Sequence, residues 1–265
     1  MESQSDFYAL KAALDWQIEL GATEAICDAP INRFELPKVE KSQTPAPATK
    51  APAAPAPAAP EIDAVALARA SAASANSLEE LHHAIASFDQ CDLKRGAKTT
   101  VFADGHASAR VMIIGEAPGR DEDIQGKPFV GRAGQLLDKM LAAIDLDRTS
   151  ENREHAVYIT NILPWRPPQN RDPEKHEMDM MVPFVARHVE LANPDILVLM
   201  GNISCQATLG KRGITRLRGN WTQAFDRPAL PMFHPAYLLR NPSAKREAWA
   251  DLLSLRARLK GQTDV

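Results

Sequence analysis

An α/β fold, in three αβα layers around a four-stranded parallel sheet, is predicted by three observations. Four short continuous apolar runs, VMIIG (111–115), VYITNIL (157–163), DILVLMG (195–201) and LPMFH (230–234), lie in stretches bounded by polar or turn residues. Unbroken rather than alternating apolarity marks strands buried on both faces. Helical patterns lie between the runs, AGQLLDKMLAAI, HEMDMMVPFVARHVELA and ISCQATLG, and REAWADLLSLRARL follows the last. Alternating strand and helix implies parallel crossovers. In such sheets ligands bind outside the carboxyl ends of the strands. Three unusual segments begin there: GEAPG, NILPWRPPQNRDP and HPAYLL.

The 265 residues divide into three parts. In residues 1–35, Phe7, Leu10, Leu14 and Ile18 recur near helical spacing, with Gly21 as a stop. One short helix is marginal alone, so it is expected to dock on the main domain or on an unidentified protein partner. Residues 36–62 contain TPAPATKAPAAPAPAAP. Proline at this density blocks helix and sheet ladders, which predicts an extended, solvated linker. Residues 63–265 have globular composition and include a capping-box pattern, Ser77 and Glu80, ahead of LEELHHAI.

Hydrophobic residues make up 45% and charged residues 25%, with a net charge of −3. The chain is not a polycation, so nucleic-acid binding needs a local basic face. Lys211, Arg212, Arg216, Arg218, Arg240, Lys245 and Arg246 cluster late. They fit either a phosphate-tracking rim or a solvated surface. No apolar run has the length of a membrane span, and the first residues lack the basic and apolar parts of a signal peptide. Cys27, Cys91 and Cys205 are too few and scattered for a disulfide framework and suit a reducing compartment.

The segment GEAPGRDEDIQGKPFVGRAG (115–134) carries five glycines that allow close backbone approach. Their amides, with the helix start at AGQLL, could bind phosphate. Glu116, Asp121, Glu122 and Asp123 lie among them. Carboxylates facing DNA would repel it, so one or two should face a reacting centre or a water; a solvated acidic helix start is the alternative. Asn161, inside an apolar run, either satisfies backbone groups or reads a base edge. His234 precedes Pro235, which favours an extended conformation aimed above the sheet; a lone histidine is more often structural.

Together these segments resemble the family 4 uracil-DNA glycosylases. The matched residues are GEAPG…ED..G.PFVG.AG..L, TN…RPP.NRDP…E and HPAYLLRNP, in order, across about 87–259. The resemblance implies uracil excision from DNA by a monofunctional hydrolase acting in base excision repair, with water as nucleophile. It implies that Glu116 and Asp123 orient or activate the water. Ala117, Phe129, Asn161 and His234 would hold the flipped uracil, and His234 would stabilise charge on its O2. Pro118, Gly119, Gly131, Arg132 and Gly134 would hold phosphates, and the stretch 236–240, including Tyr237, Leu238, Leu239 and Arg240, would enter the duplex. The expected setting is a cytoplasmic, nucleoid-associated bacterial monomer acting on uracil-containing DNA, with no membrane contact.

Family 4 members hold a 4Fe-4S cluster on four cysteines. The corresponding positions here are Phe88, Cys91, Trp165 and Met181. One thiolate cannot hold a cluster that takes four, so no cofactor is expected, and the three large side chains are expected to fill the site. The rival reading is a DNA-binding or damage-sensing homologue that lost catalysis with its cluster. A generic nucleotide-binding enzyme lacks its dinucleotide fingerprint here.

Overall fold

The four apolar runs form four strands at the centre of the sheet: β2 (Val111–Gly115), β3 (Val157–Asn161), β4 (Ile196–Met200) and β6 (Arg227–Met232). Every residue of β2, β3 and β4 is buried, as unbroken apolarity requires. They pair in parallel in the order β3-β2-β4-β6. The computed structural model describes residues 10–14 and 63–261. Residues 10–14 are helical, while the expectations for Phe7, Ile18, Gly21 and the 36–62 linker lie outside the described residues.

The sheet has six strands, which corrects the expected four. β1 (Ala103–Gly105) pairs antiparallel with β3, and β5 (Thr222–Ala224) antiparallel with β6, closing both edges. Each has three residues, ADG and TQA, with little buried surface. Such segments carry no apolar run, and their neighbours alone make them strands. The fourth run is displaced as well: the strand ends at Met232, and Phe233 and His234 lie beyond it.

Ten helices are described between residues 63 and 261. They are α1 (Ala64–Ser74), α2 (Leu78–Ser87), α3 (Leu93–Gly96), α4 (Arg120–Gln125), α5 (Arg132–Ala142), α6 (Lys175–Ala192), α7 (Asn202–Leu209), α8 (Ile214–Leu217), α9 (Pro235–Arg240) and α10 (Lys245–Leu259). The crossover β2-α5-β3 runs one way along the sheet and β3-α6-β4 the other. Since both are right-handed, α5 and α6 cover opposite faces. α1 and α2 pack on α6, whereas α9 and α10 pack on α5. At α2 half of the predicted capping box forms: Ser77 Oγ accepts from Glu80 N at 3.1 Å, while Glu80 Oε2 reaches back not to Ser77 N but to Asn76 N, at 2.7 Å.

Apolar burial is divided between the sheet core and a second cluster under α1 and α2. The second cluster contains Phe88, Cys91, Trp165 and Met181, together with Leu81, Ile85 and Phe184. Trp165 is 1% exposed, and its indole N–H donates to Thr100 Oγ1 at 3.1 Å. Phe88 meets Phe184 edge to face at 5.3 Å. This cluster joins the amino-terminal helices to the loop that follows β3.

Removing the Trp165 side chain would leave a large cavity and orphan the Thr100 hydroxyl. Trp165→Ala is expected to cost about 3–5 kcal/mol, read as a lowered urea midpoint at unchanged slope.

Candidate active site at the carboxyl ends of the strands

The two crossovers diverge between β2 and β4, and the crevice of an open α/β sheet lies at such a switch point. A cleft of about 480 Å³ opens there, lined by Glu116, Ala117, Phe129, Asn161, His234 and Tyr237 among others. Glu116 follows β2 directly. Its Oε1 accepts from Ile203 N at 3.1 Å, at the amino end of α7 after β4. The helix end favours the anion, but burial outweighs it, and nearby Asp172 adds to the effect, so the Glu116 carboxyl titrates above the usual range. Gly201, at φ +98°, lets the chain pass: a Cβ there would lie 2.3 Å from Glu116 Oε1. A carboxyl so placed can orient a water.

Asn161 ends β3 opposite Gly115. Its side chain is buried, and Oδ1 has no hydrogen-bond partner. A buried amide oxygen left unpaired costs about 1–3 kcal/mol. It is therefore a poor structural group and a good receptor for a ligand N–H. Of the two roles open to Asn161 in the sequence, satisfaction of backbone groups is not the one its Oδ1 performs.

Phe129 adopts φ +54°, a left-handed conformation that costs a bulky residue about 1–3 kcal/mol. The neighbours over-determine it. Gly134 lies under its carbonyl, where a Cβ would be 1.8 Å from the oxygen. Gly115 makes room for the ring, which a Cβ would approach to 2.5 Å. The ring is 5% exposed and stacks on His234, with centroids 5.3 Å apart.

His234 caps α9. Its Nδ1 accepts from Ala236 N at 3.2 Å, so in the neutral ring the proton is on Nε2. Burial, with Arg240 nearby, lowers its pKa to about 4. The imidazole is a neutral donor at physiological pH.

Several expected residues are placed elsewhere. Asp123 is not at the cleft. Its carboxylate accepts from Lys98 N at 2.8 Å and Thr99 N at 3.3 Å, tying α4 to the loop before β1. Gly119 lines the cleft and Gly131 does not, and the amides of both are already committed. Both donate to Glu122, at 3.1 and 2.9 Å, and Val130 N joins them at 3.0 Å. The α5 amino end has no side-chain cap. Pro118 lines the cleft, Arg132 is exposed and Gly134 is buried. The stretch 236–240 is helical. Tyr237 and Arg240 reach the cleft and Leu239 is exposed, but Leu238 is 1% exposed in the core and is not presented to a ligand.

The sequence reading did not assign Glu122 its part, although a glutamate at the third position of a helix is the familiar reach-back pattern. Gly201, Asn202 and Arg212, also at the cleft, were readable only as a strand end and a basic rim.

A family model described as the uracil DNA glycosylase superfamily matches residues 102–253. The chain belongs to that superfamily. It is 36% identical to the Type-4 uracil-DNA glycosylase of Archaeoglobus fulgidus, over 66% of this chain and 89% of that protein. It is 39% identical to that of Thermotoga maritima, over 58% and 78%, and 35% identical to that of Sulfurisphaera tokodaii, over 68% and 84%. Superfamily membership agrees with the αβα architecture.

The family's cluster positions can be tested against the donors present. Phe88, Cys91, Trp165 and Met181 do fall within one cluster, but only Cys91 offers a thiol, and burial raises its pKa. A donor set of four thiolates is not there. Among the described residues no group of three or more His, Cys, Asp or Glu side chains is arranged to hold a metal ion. No described helix is long and apolar enough to cross a membrane.

A histidine kept neutral by the fold makes stability depend on pH. Below about 6.5 the unfolded chain takes up a proton that the folded chain refuses until about pH 4. Stability should therefore fall as pH drops from 6.5 to 4. His188, lowered to about 3, adds to the same slope. Urea titrations across this range should show the decline, and His234→Asn should make it shallower.

Proposed function

We propose that this protein hydrolyses the N-glycosidic bond of deoxyuridine in DNA, releasing uracil and leaving an abasic site. The observation that carries the reading is the unpaired Asn161 amide oxygen in a cleft shared with Phe129 and a neutral His234. Uracil offers N3–H to Asn161 Oδ1 and O4 to its amide N–H. Cytosine presents an acceptor at N3 and an amine at position 4, so both contacts become repulsive. Phe129 supplies a stacking face, with about 1–3 kcal/mol per stacked base to offset extrusion from the duplex. As the bond breaks, the leaving uracil becomes an anion, and His234 Nε2–H donates to its O2. The ring does not need to be charged for this. Glu116 orients the attacking water and favours the cationic sugar. The curated relatives named above as Type-4 uracil-DNA glycosylases support the same reaction.

Catalysis in this reading proceeds without an iron-sulfur cluster. Phe88, Trp165 and Met181 occupy the cluster positions as packed apolar side chains. Trp165 is joined directly to Arg166 and Pro167 at the start of the cleft wall. Packing then fixes the segment that metal ligation would otherwise fix. The protein acts on uracil-containing DNA as a monomer in the cytoplasm, and Arg171, Arg212 and Arg240 at the cleft meet phosphates.

Uracil-containing oligonucleotides incubated with purified protein should become alkali-labile at the uracil. Asn161→Ala and His234→Ala should each slow single-turnover excision by about 10²–10³-fold, as loss of an oriented donor does, with little change in binding to uracil-free DNA. Binding without excision by the unaltered protein would instead establish a damage sensor. Anaerobically purified protein should contain no stoichiometric iron or sulfide, and a full cluster would overturn the metal-free reading.

A further inference from the structure

We infer that Arg148, which lies outside every recognised motif, is a positioning residue for the Phe129 platform. The inference rests on the reading of Phe129 as the surface on which the flipped base stacks.

A left-handed Phe129 needs restraint on both sides. On the carboxyl side, Glu122 holds Val130 N and Gly131 N. On the amino side, Arg148 Nη1 donates to the Pro128 carbonyl at 3.0 Å. The guanidinium is held in turn. Its Nε donates to Asp138 Oδ1 on α5 at 2.7 Å, and Nη1 lies 3.4 Å from Asp104 Oδ2 on β1. Asp104 also pairs with Lys127 Nζ at 3.1 Å, one residue before Pro128. The Arg148 side chain is 10% exposed.

One planar cation thus connects an edge strand, the helix behind the loop and the peptide that leads into Phe129. Its fork suits the task, because it offers several fixed donors at once. A lysine has one compact ammonium, which cannot span two carboxylates and a carbonyl in this spread. Without the tether at Pro128, the peptide before Phe129 loses the hydrogen bond that holds its carbonyl. The backbone then relaxes toward negative φ, where a phenylalanine is comfortable, and the ring swings off the cleft wall. Asp104 and Asp138 hold the arginine in register; Arg148 acts on the substrate through Phe129 alone and has no contact with the base.

The test uses the full chain with Arg148→Met, Arg148→Lys, Phe129→Leu and the double variant Arg148→Met/Phe129→Leu. The readouts are inhibition of excision by free uracil, single-turnover excision, binding to a uracil-free duplex and thermal stability. Arg148→Met should weaken free-uracil inhibition and slow excision by about tenfold, within the range of one lost stacking contact. Binding to uracil-free DNA should stay within twofold. Arg148→Lys should show the same pattern at about threefold, since it keeps charge but not the fork; it also serves if the methionine variant does not fold. In the Phe129→Leu background, Arg148→Met should add less than about twofold, because residues acting through one another are not additive. Full additivity, or unchanged uracil inhibition in Arg148→Lys, overturns the positioning role while leaving the platform intact. A Phe129→Leu protein with undiminished excision and uracil inhibition overturns the platform reading, and the positioning role with it.

Discussion

A missing Cβ at the end of the second strand governs the site. Gly115 stands opposite Asn161 in the parallel ladder, and the space its side chain would fill is shared by Asn161 Oδ1 and the Phe129 ring. With any larger residue, one of the two would have to leave. The Asn161 amide and the Phe129 ring therefore meet because one backbone position carries only hydrogen. Gly134 and Gly201 repeat the device, admitting the Phe129 carbonyl and the Glu116 carboxyl respectively. Close backbone approach is the use Gly115 and Gly134 serve, while Gly201, at φ +98°, also needs glycine's dihedral freedom.

Charge at the site follows from the same geometry. The acid-rich first motif does not present four carboxylates to DNA. Glu122 turns inward onto three amides and Asp123 onto two, so much of the negative charge is spent inside the loops. Glu116 stands in the cleft at the amino end of α7, and Glu122 reaches its wall with its oxygens already bonded to amides. His234 is held neutral by burial and its tautomer by an amide of the next helix turn. A buried imidazolium would cost desolvation, so the fold favours the neutral ring.

The satellite core packs Phe88, Cys91, Trp165 and Met181 beneath the loop that follows β3. Apolar packing at native density resists deformation, and Trp165 combines bulk with a paired N–H. A packed core spreads the restraint on that loop over many weak contacts.

The four central strands could be read from the sequence because strands buried on both faces need unbroken apolarity, and VMIIG or ILVLM can hardly do otherwise. Glu116, Asn161 and His234, which all line the cleft, could be singled out because Glu116 follows β2, Asn161 ends β3 and His234 ends the fourth apolar run, two residues beyond β6. The edge strands ADG and TQA could not be read, since a paired neighbour, not their own side chains, makes them strands. Nor could the separation of Glu116 from Asp123, seven positions apart and directed to different loops, or the burial of Leu238 beside the exposed Leu239. The sequence by itself determined the layering, the order of elements and the chemistry available at the strand ends. The tertiary structure decided which polar groups were already satisfied by backbone amides and which, like Asn161 Oδ1, were left unpaired, because hydrogen bonds between distant segments exist only once the loops are folded onto one another.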